Sequence, residues 1–367
     1  MINDFYPKET GIRHTEFPVR SYATEWDWGA EIPFINEKFG TRTRLNPLDP
    51  MGKGWWSWPD SLVEKTVMEN PVMYLHYGSL DSQIKQLYTA CEKTGAPRLI
   101  ITDEKIRSKH KVPSNVRILV THAMAYQYSK IFDESKLRPV YKRKVDNLEH
   151  SFMIMASNPD SPATYVLMVL QELGALENAL YSSPSLPAEK WIREDDKLAI
   201  NHVIKDLKKN YIGGDYVRFD HKKNLNIISE NLKKCHFFVA IDRDVFYNDY
   251  VHWSIAEKHL QCFTSTTPVM PIWTDAESTQ MKEWGFRFEN IVSRQQDETV
   301  QCAVKRWCEK ILFNLNITKN QQWSQAWQDT NAPDTTHNFE LLKKLHQNIA
   351  NEIDQQIDEL PKEFKNL

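Results

Sequence analysis

The stretch FVAIDRDVFYNDYVHWSIAEK, residues 238–258, changes character three times. Phe238 to Ile241 is a short apolar run of the kind that forms a buried strand. Acidic and aromatic residues follow from Asp242, and Glu257 and Lys258 then open a helix. In open parallel sheets, ligands bind beyond the carboxyl ends of the strands. A site is therefore expected in the loop that begins at Asp242. Asp242 and Asp244, one residue apart, can both reach a hard divalent cation, although Arg243 between them lowers the local negative field. Glu257 can accept from two ribose hydroxyls, and Lys258 beside a helix start suits a diphosphate. A plain strand, loop and helix, with Glu257 serving its own first-turn amides, is the third reading.

Outward from this stretch, strands and helices alternate. PVMYLHYG (71–78) reads as a buried strand, SLDSQIKQLYTACEKTG (79–95) as a helix with a Ser start and a Gly stop. RLIITD (98–103) and VRILVTHAM (116–124) read as two further strands. After a basic stretch, HSFMIMAS (150–157) opens a second series. Helices are expected over 163–176, 193–212, 225–235, 256–266 and 277–286, and strands at HFFVAID (236–242) and PVMPIW (268–273). YSSPSLPAEKW (181–191) reads as a loop. This rhythm implies parallel α/β layers. The expected fold is α/β, with two Rossmann-like domains facing a cleft in the GT-B-like manner. Residues 1–68 form an irregular N-terminal arm, 69–146 an acceptor-side domain, 147–315 a nucleotide-sugar-binding domain, and 316–367 a C-terminal helical segment. In that segment Leu342, Leu345, Ile349, Ile353, Ile357 and Leu360 recur at spacings of three and four, one apolar helix stripe to be packed on the body.

Composition narrows the class. A chain of 367 residues with 41% hydrophobic side chains suits two domains with real cores. Its start is charged and it holds no 18-residue apolar run, so a cytoplasmic chain without a membrane span is expected. Cys91, Cys235, Cys262, Cys302 and Cys308 form no C-x-x-C pair, which argues against a disulfide framework or zinc knuckle. The net charge of −3 hides an asymmetry: Arg98–Lys144 holds 12 Lys/Arg against 4 Asp/Glu. Arg107, Lys109, Lys111 and Arg143 are candidate acceptor or phosphate contacts in this zone, with ordinary solvated faces as the rival reading.

Two resemblances sharpen the functional reading. Residues 236–288 (HFFVAIDRDVFYNDYVHWSIAEKHLQCFTSTTPVMPIWTDAESTQMKEWGFRF) and 151–183 (SFMIMASNPDSPATYVLMVLQELGALENALYSS) resemble phage and bacterial GT-B glycosyltransferases of the fucosyltransferase-like kind. That family carries a strand, a polar loop, an aromatic stretch, Glu-Lys opening a helix, a Pro-led strand and a short helix ending in Gly-Phe. The resemblance covers roughly 148–312. It implies that Glu257 and Lys258 grip the ribose and diphosphate of a UDP- or GDP-sugar. Asp242, Arg243, Tyr247, Asn248, Tyr250, Ser157 and Asn158 would line the donor pocket. No cofactor is required, and a divalent metal is optional. One departure stands out: the family places arginines in the loop that reads SNPDSPAT (157–164) here, so Lys258, Arg243 or Arg143 must neutralise the diphosphate.

RLIITDEKIR (98–107) and YNDYVHWSIAE (247–257) are similar to segments of the T-even phage DNA β-glucosyltransferases. This implies Asp103 as general base, with the imidazole of His122 as the alternative. The implied activity is sugar transfer to an acceptor hydroxyl. The acceptor is either a hydroxymethylated base in double-stranded phage DNA or a glycan or surface saccharide, for which Trp55, Trp56 and Trp58 suit sugar faces. A non-catalytic nucleic-acid-binding or virion-associated protein of the same fold is the third reading, motivated by the missing arginines.

Overall fold

The apolar runs of the two halves assemble into two separate parallel sheets. The computed structural model describes residues 43–45, 60–75, 79–102, 105–155, 162–182, 221–242, 245, 250–252, 255, 257–289 and 298–367. Among these, residues within 43–128, 250–255 and 345–367 make one compact unit, and those within 129–245 and 257–344 a second. The division at Tyr128/Ser129 lies earlier than the 146/147 boundary expected from the basic stretch, and the C-terminal segment divides at Lys344/Leu345.

The first unit's sheet is wound in chain order. β1 (Thr43–Leu45) leads through α1 (Asp60–Glu69) to β2 (Val72–Leu75), and α2 (Asp81–Thr94) leads on to β3 (Arg98–Thr102) and then β4 (Val116–Val120). The order is β1-β2-β3-β4, all parallel, so each step moves the same way. Right-handed crossovers that all move one way put their helices on one face. Accordingly, Val63 and Val67 of α1 and Ile84, Leu87 and Cys91 of α2 share one cluster with Met73, Leu75 and Ile100. The alternate residues Val72, Leu99, Ile101 and Leu119 turn to the other face, where Leu360 and Phe364 cover them. With both faces covered, RLIIT is buried at all five positions. Helix α1 falls in the stretch expected to be irregular; its Val63 and Val67, one turn apart, hold it to the sheet. β4 ends before the expected residue 124: Thr121 bonds Thr102 O through both N (2.8 Å) and Oγ1 (3.0 Å). His122 then takes φ +48° and α3 (Ala123–Glu134) begins.

The second unit's sheet reverses direction. Its elements are β5 (His150–Met155), α4 (Pro162–Glu172), β6 (Leu180–Ser182), α5 (His221–Lys233), β7 (Cys235–Ile241), α6 (Glu257–Gln261), β8 (Val269–Ile272) and α7 (Asp275–Glu283). The strand order is β8-β7-β5-β6, all parallel. The chain therefore steps from β5 to β6, crosses back past β5 to β7, and goes on to β8. Helix α4 shares a core with Phe152, Ile154, Phe237, Val239 and the inner face of α8 (Val300–Thr318). Helices α5 and α6 touch each other, as crossovers of the opposite direction require. Leu225, Ile228 and Leu232 bury the inner stripe of α5.

The chain ends in α9 (Gln321–Glu359) and α10 (Lys362–Lys365). Leu342, Leu345, Ile349, Ile353 and Leu360 are buried, so the apolar stripe is packed as its spacing implied. Two elements differ from expectation. The stretch read as a loop at 181–191 contains the end of β6, a three-residue edge strand too short to show alternation. Helix α6 has five residues instead of spanning 256–266, because Thr264 and Thr267 bond the carbonyls of Gln261 (2.8 Å) and Leu232 (2.6 Å). The helix expected over 193–212 lies outside the described residues. Among the described residues, no helix is long and apolar enough to cross a membrane.

Candidate functional site

Where a parallel sheet reverses its winding, neighbouring strands send their chains to opposite faces and a crevice opens at their carboxyl ends. In the second unit these strands are β5 and β7. Ser157 and Asn158, after β5, lie outside the described residues. After β7 comes Asp242, whose N–H donates to Ile272 O at 3.1 Å and whose residue is 2% exposed.

A buried carboxylate is costly unless paired, and Asp242 is paired twice through one oxygen. Its Oδ1 meets the Lys258 ammonium and lies 3.6 Å from His259 Nε2. The same Nε2 is 3.3 Å from Glu277 Oε1. Glu277 is fixed from behind by a capping box that starts α7. Its other oxygen, Oε2, accepts from Thr274 N at 2.8 Å, and Thr274 Oγ1 accepts from Glu277 N at 3.3 Å. The Trp273 ring stands edge-on to His259, with centroids 5.2 Å apart. The chain thus runs Lys258–Asp242–His259–Glu277. The last three side chains are 1–2% exposed, whereas that of Lys258 is 41% exposed.

Charge balance explains how four ionisable groups share this space. Burial alone would lower the pKa of His259, but the Glu277 and Asp242 carboxylates outweigh it and raise it. Burial, and next the Asp242 charge, raise that of Glu277 against the pull of His259. With His259 protonated, two negative charges face two positive ones, the balance a low-dielectric interior favours.

By donor type the trio can also hold a metal. One atom each of Asp242, His259 and Glu277 lies within 4.8 Å of the others, and His with carboxylates suits Zn²⁺. The grip expected from Asp242 with Asp244 is therefore offered by a different set; Asp244 lies outside the described residues. Lys258 already holds the Asp242 oxygen that faces His259.

The other expected site residues fall in several places. Glu257 is partly exposed at the first position of α6. Arg243, Tyr247, Asn248 and Asp103 lie outside the described residues. Tyr250 contributes backbone to a two-stranded antiparallel ribbon, paired with Leu80, and belongs to the first unit. His122 is buried at 3% exposure. Arg107, Lys109 and Lys111 are exposed, and Lys109 Nζ lies 3.3 Å from Asp81 at the start of α2.

Arg143 corrects the expectation of a phosphate contact. It is buried, and its guanidinium donates to the carbonyls of Leu232 (3.3 Å), Lys233 (3.0 Å) and Cys235, and to Gln328 Oε1 (3.2 Å). Burial lowers its pKa to about 10. It fastens the turn between α5 and β7. Arg98 does the same for α1, donating to Val67 O at 2.8 Å and Met68 O at 3.3 Å. Arg117 donates to Ser114 O and Val116 O and lies over the Phe364 ring.

Sequence reading missed His259 and Glu277. His259 gives no local signal, being one residue inside a short helix. Glu277 does: Thr274-Asp-Ala-Glu277 is a capping box, which predicts an inward-turned Glu at the head of α7.

No protein-family model matches the chain, and no curated protein matches it. Among solved structures, the pneumococcal O-GlcNAc transferase GtfA in complex with UDP and GlcNAc aligns with 80% of this chain and 47% of its own, at 11% identity and a TM-score of 0.37. This chain thus spans about half the length of that one. The α/β assignment rests on the two parallel sheets themselves, one wound in a single direction and one reversed.

Proposed function

We propose that this chain is a nucleotide-sugar-dependent glycosyltransferase of the GT-B, fucosyltransferase-like kind, whose second unit binds a UDP- or GDP-sugar. One observation carries the reading. At the carboxyl end of β7, beside the reversal of the sheet, a half-exposed lysine is held by a buried aspartate. Reversal points of this kind are where doubly wound sheets take nucleotides. Lys258 is assigned to the diphosphate and Glu257 to the ribose hydroxyls, as the resemblance implies.

Transfer needs few groups. The acceptor hydroxyl attacks the anomeric carbon, and its proton passes to a base. The bond to the diphosphate oxygen breaks, and the nucleoside diphosphate leaves with its charge stabilised by Lys258. Asp103, directly after β3, is the assigned base. His122 suits the role less well, because it is buried.

For the acceptor, nine of the twelve Lys/Arg between Arg98 and Lys144 remain exposed, which favours hydroxymethylated duplex DNA over a neutral saccharide. The test has two arms. A thermal-shift screen against UDP, GDP and their sugars should raise Tm for one nucleotide only; no shift with any of them at millimolar concentration overturns the donor reading. Labelled donor should then mark hydroxymethylated duplex DNA and leave unmodified duplex blank. Label on an oligosaccharide alone replaces DNA with a glycan acceptor.

A further inference from the structure

We infer that Asp242, His259 and Glu277 are positioning residues that hold the Lys258 ammonium in one place, ready for the phosphates of a ligand. The inference rests on the donor reading above for the ligand's class, but its geometry stands apart from it. Of the four side chains, Lys258 alone reaches solvent; the others are 1–2% exposed and cannot touch a ligand without rearrangement. A free lysine has a flexible four-carbon stem and loses rotamer freedom on binding. Here that loss is taken in advance, because the ammonium already sits on Asp242 Oδ1.

Asp242 is itself held. Its backbone N–H is fixed to Ile272 O at 3.1 Å, and His259 stands 3.6 Å from the same Oδ1. His259 Nε2 in turn lies at ion-pair distance, 3.3 Å, from Glu277 Oε1, and the Thr274 N–H holds Glu277 Oε2 at 2.8 Å. The line of support runs from the head of α7 to the solvent-reaching ammonium of Lys258. Preorganised support of this kind raises affinity by lowering the cost of ordering.

A rival arrangement uses the same atoms with the opposite sign. If Asp242 only competed with a ligand for Lys258, removing its charge would release the lysine and tighten anion binding. The two are separated by titrating the intact chain with inorganic pyrophosphate and, in parallel, with UDP and GDP, while circular dichroism reports folding. Lys258→Met is expected to weaken pyrophosphate roughly tenfold or more, the range for a hydrogen bond to a charged group. Asp242→Asn is expected to weaken it about three- to tenfold, and Lys258→Arg to retain part of the affinity. Glu277→Gln keeps the capping box and should give a smaller loss.

The double variant Asp242→Asn/Lys258→Met should bind no worse than Lys258→Met alone, since one acts through the other. A merely structural role for Asp242 would instead add its loss to that of Lys258→Met. Tighter binding in Asp242→Asn, or additive losses in the double variant, overturns the inference. Pyrophosphate behaviour as expected, with no binding of either nucleotide, leaves the inference standing and removes the donor reading. Nucleotide binding indifferent to both single variants does the reverse.

Discussion

The two sheets follow the same strand–helix alternation and differ in the direction of their winding. The first advances β1-β2-β3-β4, and the second turns back, β8-β7-β5-β6. In the first, both local helices lie on one face, and the other is covered by residues from the far C-terminus, Leu360 and Phe364. In the second, helices leave on both faces, and four ionisable side chains gather at the carboxyl end of β7. Winding direction, rather than strand composition, distinguishes the sheet at whose reversal these charges gather.

Removing the borrowed cover is the strongest way to break this comparison. Phe364→Ala takes a 2%-exposed aromatic ring from the first sheet and should cost about 3–5 kcal/mol. Urea unfolding followed with hydrogen exchange should show opening of 98–120 with 235–272 little changed. Equal loss in both units would mean that they do not fold as separate bodies. Arg143→Met comes next. It strips the partner from the carbonyls of Leu232, Lys233 and Cys235 and should cost about 2–3 kcal/mol. Pyrophosphate affinity should stay unchanged, and a loss of that affinity in a folded variant would return Arg143 to the phosphate site.

A smaller effect comes from pH. His236 lies in the second unit with Nδ1 2.8 Å from Ser324 Oγ, and burial, then Arg143, lower its pKa to about 4. Below the ordinary value near 6.5 the unfolded chain takes a proton that the folded chain refuses. Stability should therefore fall as pH drops from about 6.5 to about 4, by about 1–2 kcal/mol after allowance for solvent screening. His259 works the other way: its raised pKa gives stability that is full below the ordinary value and lost as pH rises through the raised one. His236→Gln should flatten the acid limb of a Tm-against-pH curve. An unchanged limb would assign that loss to other groups.

The smallest effect is kinetic. Cys302 is exposed, whereas Cys91 in the first unit and Cys235 and Cys308 in the second are buried, their thiols pushed up to about 12 mainly by burial. A thiol reagent should label Cys302 at once. Cys91 should follow at the opening rate of the first unit and Cys308 at that of the second. Simultaneous labelling of the two would erase the difference between the units.

Much of the fold was legible because its strands are continuous apolar runs ending in turn residues. RLIIT and FVAI lie within strands as read, and Gly285, with φ +95°, follows α7 as its stop. What escaped was short or distant. β6 has three residues, and α1 announces itself only by Val63 and Val67. The site was half legible. Strand-end logic pointed to Asp242 and to Glu257–Lys258, while Asp-x-Asp drew attention to a local pair. The partners that matter to Asp242 lie 17 and 35 residues further on, at His259 and Glu277. Only the packing of α6 and α7 beyond β7 and β8 brings them together. Three members of the charge run 98–144 escaped for a related reason: a sequence does not show that Arg98, Arg117 and Arg143 turn to backbone carbonyls.

The most direct test is hydrogen–deuterium exchange of the intact chain with and without the nucleoside diphosphate selected by thermal shift. Protection is predicted in peptides covering 238–245 and 257–266, at the carboxyl end of β7 and in α6, and it should vanish in Lys258→Met. Protection confined to the strand ends of the first unit, or protection of 257–266 that survives Lys258→Met, would contradict the account.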